Sequence, residues 1–121
     1  MSKILLVEDD PFLVDIYSQK LRKAGFDVSV ETDGSKVLNA IKTQKPELLM
    51  LDIVLPEMDG WEILGEIGKD AQFSALKVMV FSNLGQKAEV EKGIKLGAVK
   101  YLIKADYTPS EVVEEVKKLL G

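Results

Sequence analysis

The segment Ile4-Leu5-Leu6-Val7-Glu8-Asp9-Asp10-Pro11 passes without a break from apolar residues to three carboxylates and then to a proline. A run that is continuously apolar rather than alternating suits a strand covered on both faces. Asp10-Pro11 reads as the start of a helix, with the acid at the N-cap and proline, whose φ is already helical, in the first turn. Strand and helix therefore abut, with Glu8 and Asp9 at the junction. Like charges this close repel, so the acids are either spread into water or held by something positive.

Working outward, the same kind of run recurs at Leu48–Leu51, Val78–Phe81 and Tyr101–Ile103. Phe26 to Val30 alternates instead, with Phe26, Val28 and Val30 apolar and Asp27 and Ser29 polar, as in a half-exposed strand at a sheet edge. Between the runs lie segments of helical period. Leu13, Ile16, Tyr17, Leu21 and Ala24 share one face of a helix that stops at Gly25. Asp33 is placed to cap a second helix with Val37, Leu38 and Ile41 inward before Pro46, and Trp61, Leu64 and Ile67 mark a third. A fourth runs from about Gln86 to Leu96 and ends at Gly97. The last starts at Thr108-Pro109-Ser110-Glu111 and carries Val112, Val113, Val116, Leu119 and Leu120. Strand and helix thus alternate five times with short connections, which predicts an α/β fold with an open, doubly wound, five-stranded parallel sheet. With the second strand at an edge, the flavodoxin-like order 2-1-3-4-5 fits best.

The chain has 121 residues, 46% of them hydrophobic, enough to bury a core as one domain spanning residues 1–121. A net charge of -4 argues against a direct nucleic-acid binder, which needs a basic face to displace counterions from phosphate. Proteins or cations are the expected partners. There is no cysteine, so disulfides and thiolate metal sites are excluded, and no histidine, which removes the usual general base and zinc ligand. Any chemistry runs on carboxylates, hydroxyls and lysines. The apolar run at the N-terminus is too short for a signal peptide and no run has the length of a membrane span, so the expected location is the cytoplasm, without membrane contact.

In sheets of this type ligands bind outside the carboxyl ends of the strands, where the winding reverses, here between strands 1 and 3. Strand 1 ends in Glu8-Asp9, strand 3 in Asp52, strand 4 in Ser82 and strand 5 in Lys104. Each has an ordinary alternative: Asp52 ends a strand, Ser82-Asn83 makes a turn, Lys104 is a solvated lysine, Asp10 is only a cap. Jointly, on one sheet edge, they form a more specific set. Several carboxylate oxygens at one point make a hard-cation site, and an open one suits magnesium better than a closed calcium cage. Beside such an ion Asp52 is a competent phosphoryl acceptor, with Lys104 and Ser82 supplying a positive charge and a hydroxyl to the transferred oxygens.

At these positions the chain resembles a response-regulator receiver (CheY-like) domain of two-component signalling, of the stand-alone type. ILLVEDDP is similar to the family's acidic-pair motif, with Glu8 and Asp9 as the pair. LLMLDIVLPEMDGWE is similar to its phosphoacceptor motif, with Asp52 as acceptor followed by the Pro56 and Asp59-Gly60 loop. VMVFSN carries the switch hydroxyl at Ser82, and GAVKYLIKAD the switch aromatic Tyr101 and Lys104. The resemblance covers the whole chain. It implies a phosphorylation switch rather than a metabolic enzyme, phosphorylated on Asp52 by a histidine kinase or phosphotransfer protein. It further implies Mg2+ held by Asp9, Asp52 and the Val54 backbone carbonyl, with Glu8 acting through water. Ser82 would move toward the new phosphate oxygens and Tyr101 into the space vacated, altering the surface of helix 4, strand 5 and helix 5 for a downstream protein target or a phosphorylation-linked homodimer.

Three positions depart from the family pattern. Ala105 follows Lys104 where the family usually has proline, often after a cis bond; a non-proline cis bond costs roughly 2.5–4 kcal/mol, so this bond is either trans or strained. Asn83 follows the switch hydroxyl where a very small residue is common, which narrows access to the phosphoryl group. Val54 and Leu84 are apolar and cannot orient a hydrolytic water, which implies a long-lived phosphoryl state. Among rival readings, an aspartate-based phosphatase of the haloacid-dehalogenase type needs a second aspartate where this chain has Val54. A receiver-like module acting without phosphorylation would not need the complete acidic set, and a nucleotide site would need a glycine-rich loop after strand 1.

Overall fold

In the computed structural model, which describes residues 2–121, the chain is an open parallel sheet with helices on both faces. Met1, the first residue of the domain expected from sequence, lies outside the described residues. The strands are β1 (Lys3–Val7), β2 (Asp27–Glu31), β3 (Leu48–Leu51), β4 (Lys77–Ser82) and β5 (Lys100–Ile103). The helices are α1 (Pro11–Lys23), α2 (Val37–Gln44), α3 (Gly60–Lys69), α4 (Lys87–Lys95) and α5 (Pro109–Leu120). The strand order is β2-β1-β3-β4-β5, all pairs parallel, as the alternation of elements and the edge position of strand 2 predict.

The continuously apolar strands explain the two-sided core. Leu5, Val7, Leu49, Leu51, Val78 and Val80 pack on the side carrying α2 and α3, while Ile4, Leu6, Leu48, Met50, Met79 and Phe81 pack on the side carrying α1 and α5. Successive residues point to opposite faces, so only a strand apolar at every position fills both layers. Truncating one such residue to alanine costs about 2–5 kcal/mol.

The helix ends follow their local chemistry. Asp10 accepts from the Phe12 and Leu13 amides at 2.9 and 3.4 Å and so caps α1. Thr108 and Glu111 make a reciprocal capping box at α5.

Two expectations are corrected. Strand 2 runs from Asp27 to Glu31 rather than from Phe26 to Val30, because the Phe26 amide donates back to the Leu21 carbonyl of α1 and pairing begins with Asp27 on Ser2. Phe26 still packs, partly buried, against the core. Asp33 caps a short 3-10 turn, Gly34–Lys36, rather than α2 itself, which starts only at Val37. No peptide bond among the described residues is cis, so Lys104–Ala105 is trans, and Lys104–Asp106 forms a 3-10 turn. No helix among them is long and apolar enough to cross a membrane.

Candidate functional site

The sheet register brings the ends of β1 and β3 side by side. Val7 pairs with Leu51, and the Asp52 amide continues the ladder by donating to the Val7 carbonyl at 3.1 Å. Glu8, Asp9 and Asp52 consequently converge, each with a carboxylate oxygen within 4.8 Å of the others. Asp52 and Glu8 are buried, whereas Asp9 is exposed. The backbone beyond Asp52 is folded back tightly. The Gly60 amide donates to the Ile53 carbonyl at 2.8 Å, and a Cβ on Gly60 would stand 2.6 Å from the Asp52 carbonyl oxygen. Only glycine permits that approach. Asp59 anchors the same loop by capping α3 through the Glu62 amide at 3.0 Å.

Lys104 arrives from the end of β5 and joins the acids. Its ammonium donates to Asp52 Oδ2 at 2.9 Å and to Glu8 Oε1, with its side chain only 10% exposed. The ammonium lies over Phe81, whose ring centroid is 5.5 Å from Nζ and which meets Tyr17 edge-on at 4.9 Å. Burial alone would lower the Lys104 pKa, but hydrogen bonds to Glu8 and Asp52 carry it above the ordinary lysine value. Burial raises the Glu8 pKa, opposed by Lys104 and reinforced by the charge of Asp52. Lys104 is one positive charge against three carboxylates, so the cluster keeps an excess of hard oxygen donors, of which those of Asp9 are exposed. Such a donor set fits a divalent cation of the magnesium class.

Ser82, fully buried at the end of β4, accepts from the Leu84 amide through its hydroxyl at 3.3 Å. Tyr101, partly buried, donates its hydroxyl to the Leu84 carbonyl at 2.5 Å. Val54 is 60% exposed at the rim and its amide donates to Asp52 Oδ1 at 3.2 Å. The cleft between these groups, about 280 Å³, is lined by Asp9, Asp52, Val54, Ser82, Asn83 and Lys104. A larger cavity of about 550 Å³ opens at the opposite end of the sheet between α2 and β4, away from any of these groups. Convergent chemistry rather than volume identifies the site.

Glu8, Asp9, Asp52, Val54, Ser82 and Lys104 are thus brought to one edge, with Asp10 serving as the cap, whereas Tyr101 lies outside the cleft and reaches the loop beyond Ser82 through the Leu84 carbonyl. Two features escaped sequence reasoning: the Lys104–Glu8 pairing, and the Leu84 backbone linking Ser82 to Tyr101. Neither leaves a sequence signal, since the first joins residues 96 apart and the second uses only main-chain atoms.

Comparisons with known proteins agree. The model of the response regulator receiver domain matches residues 4–117. The chemotaxis protein CheY of Thermotoga maritima is 35% identical over 118 residues, covering 97% of this chain and 96% of that protein. The DNA-binding dual master transcriptional regulator RpaA of Synechocystis is 33% identical over 120 residues, covering 99% of this chain and 49% of that protein. The chain therefore spans about half the length of RpaA, as it does of several other curated regulators it matches. Among solved structures, the receiver domain protein of Methanospirillum hungatei superposes with a TM-score of 0.90 at 26% identity, covering 99% of this chain and 94% of that one. The beryllofluoride-activated receiver domain of Klebsiella pneumoniae RstA gives 0.88 at 27%, covering 97% of each. The sheet order, the acidic edge and these matches together make the chain a member of the response regulator receiver family, the phosphorylation-based switch modules of two-component signalling.

Proposed function

We propose that Asp52 accepts a phosphoryl group from a histidine kinase or phosphotransfer protein. The observation that carries this reading is a buried carboxylate, Asp52, held at 2.9 Å by Lys104 beside two further acids at the open edge of the sheet. One Asp52 oxygen forms a bond to phosphorus as the phosphorus–nitrogen bond to the donor imidazole breaks, and the leaving nitrogen keeps the electron pair. Lys104 and the Ser82 hydroxyl then supply a positive charge and a hydroxyl to the transferred oxygens. Asp9, Asp52 and the Val54 carbonyl would hold Mg2+, with Glu8 acting through water; when bound, the ion neutralises charge on those oxygens.

Ser82, drawn toward the phosphoryl group, releases the Leu84 amide, and the loop that carries Leu84 moves while Tyr101 stays bonded to the Leu84 carbonyl. The surface of α4, β5 and α5 then changes population between two arrangements and is read by a downstream protein.

Incubation with acetyl phosphate and Mg2+ tests this by mass spectrometry. The protein should gain the mass of one phosphoryl group and Asp52→Asn none. Equal labelling of both would refute the assignment.

A further inference from the structure

Tyr101 meets α4 at Gly93 with the Cδ2–Cε2 edge of its ring. A Cβ built on Gly93 would stand 2.7 Å from Cδ2 and 3.0 Å from Cε2 of that ring, closer than side chains pack, so the ring occupies the space a side chain would fill. The next atom met from the same point is Cζ3 of Trp61 on α3, 3.9 Å away. Lys92, adjacent to Gly93, holds its ammonium 4.4 Å from the Trp61 ring centroid and so clasps α4 to α3. At the other end of the slot the Tyr101 hydroxyl reaches the Leu84 carbonyl, and the Leu84 amide reaches Ser82 Oγ.

Helix geometry does not ask for glycine here. Gly93 sits within α4, is buried, and has no left-handed φ. Glycine is the poorest helix former after proline, so alanine would suit the helix better. What alanine does not suit is the ring.

We propose that Gly93 is a positioning residue for Tyr101: by lacking a side chain, with Trp61 and Lys92 holding α4 against α3, it seats the ring on the Leu84 carbonyl before any phosphoryl group arrives. The consequence for signalling rests on the switch reading above; the slot itself does not. A ring seated in advance does not have to be moved at the expense of phosphoryl binding, so Gly93 raises the affinity of the site for an activating group.

The test compares the full chain with Gly93→Ala, Tyr101→Ala and the double variant. Tyr101 ring resonances are followed by aromatic NMR without ligand, and affinity by titration with beryllofluoride and Mg2+. Gly93→Ala should keep or raise the melting temperature, shift the Tyr101 ring signals, and weaken beryllofluoride binding roughly fivefold or more, the lower range of ordinary coupling between sites. In the Tyr101→Ala background the same substitution should leave affinity unchanged. Unshifted Tyr101 signals in Gly93→Ala, or an affinity loss that persists without the Tyr101 ring, would overturn the proposal. If the parent chain takes up no beryllofluoride, the switch reading fails, while the ring signals still decide the slot.

Discussion

Lys104→Met removes the ammonium that pairs with the acidic edge while keeping about the length of the side chain. In the parent protein the ammonium lies 2.9 Å from Asp52 and also pairs with Glu8, both carboxylates being buried. At an effective dielectric near 20 the Lys104–Asp52 attraction is about 6 kcal/mol before desolvation is subtracted. Without the ammonium, Glu8 and Asp52 face each other with oxygens inside 4.8 Å, a repulsion of about 3 kcal/mol on the same basis. Breaking a buried pair by removing one partner generally costs about 3–5 kcal/mol, and the same range is expected here near neutral pH without magnesium.

Two dependences sharpen this expectation. On the proposed function the folded cluster holds Mg2+ and the unfolded chain does not, so the ion should stabilise Lys104→Met, whose cation site has lost its competitor, more than the parent; a hundredfold excess over Kd adds about 2.7 kcal/mol. Acidification should also shrink the deficit. The Glu8 pKa is already raised by burial, so the folded state holds that proton more tightly than the unfolded chain and gains stability as pH falls from the raised value toward the ordinary 4.5. Removing Lys104 raises it further, so the variant gains more. Urea denaturation followed by the single tryptophan, Trp61, measures all three quantities. A deficit below about 1 kcal/mol without magnesium, the range of exposed ion pairs, would refute the buried-pair reasoning.

Further expectations concern the neighbouring acids and the rim. Asp10→Ala should lower stability by about 0.5–2 kcal/mol through loss of the α1 cap and leave phosphorylation intact, whereas Asp9→Ala should abolish magnesium-dependent phosphorylation; identical behaviour of the two would dissolve the division of labour among these acids. With Val54 and Leu84 apolar, purified phosphoprotein should keep its label for long periods, and Val54→Asp, which offers a group to orient water, should shorten the lifetime. Asp33 has its pKa lowered by hydrogen bonds from the Ser35 side chain and amide. Its contribution to stability is therefore present above the unfolded value near 3.8 and is lost as pH falls through the lower folded value, so Ser35→Ala should lower stability at neutral pH and progressively less as the pH falls below about 3.8, flattening the acid limb of the stability curve.

Much of the fold was legible because its determinants are local or periodic. The all-apolar runs at Ile4–Val7 and Leu48–Leu51 announce strands buried on both faces, and Asp10-Pro11 and Thr108-Pro109 announce helix starts that the structure reproduces. The edge strand slipped by one residue because a main-chain bond from Phe26 to Leu21 competes with strand pairing, and alternation of side chains does not register such a bond. Asp33 was recognised as a cap but not as the cap of a separate turn. Its cap signature is the same in both cases.

By itself the sequence determined which residues end the strands, and with the sheet order that was enough to name Glu8, Asp9, Asp52, Ser82 and Lys104 as neighbours. Only the tertiary structure decided how they are joined: Lys104 bridging Glu8 and Asp52, Leu84 standing between Ser82 and Tyr101, and the Tyr101 ring resting on Gly93. The physical reason is range. Strand ends and caps depend on a few consecutive residues, whereas ion pairs and ring positions depend on side chains brought within a few ångströms only after the sheet has closed its register.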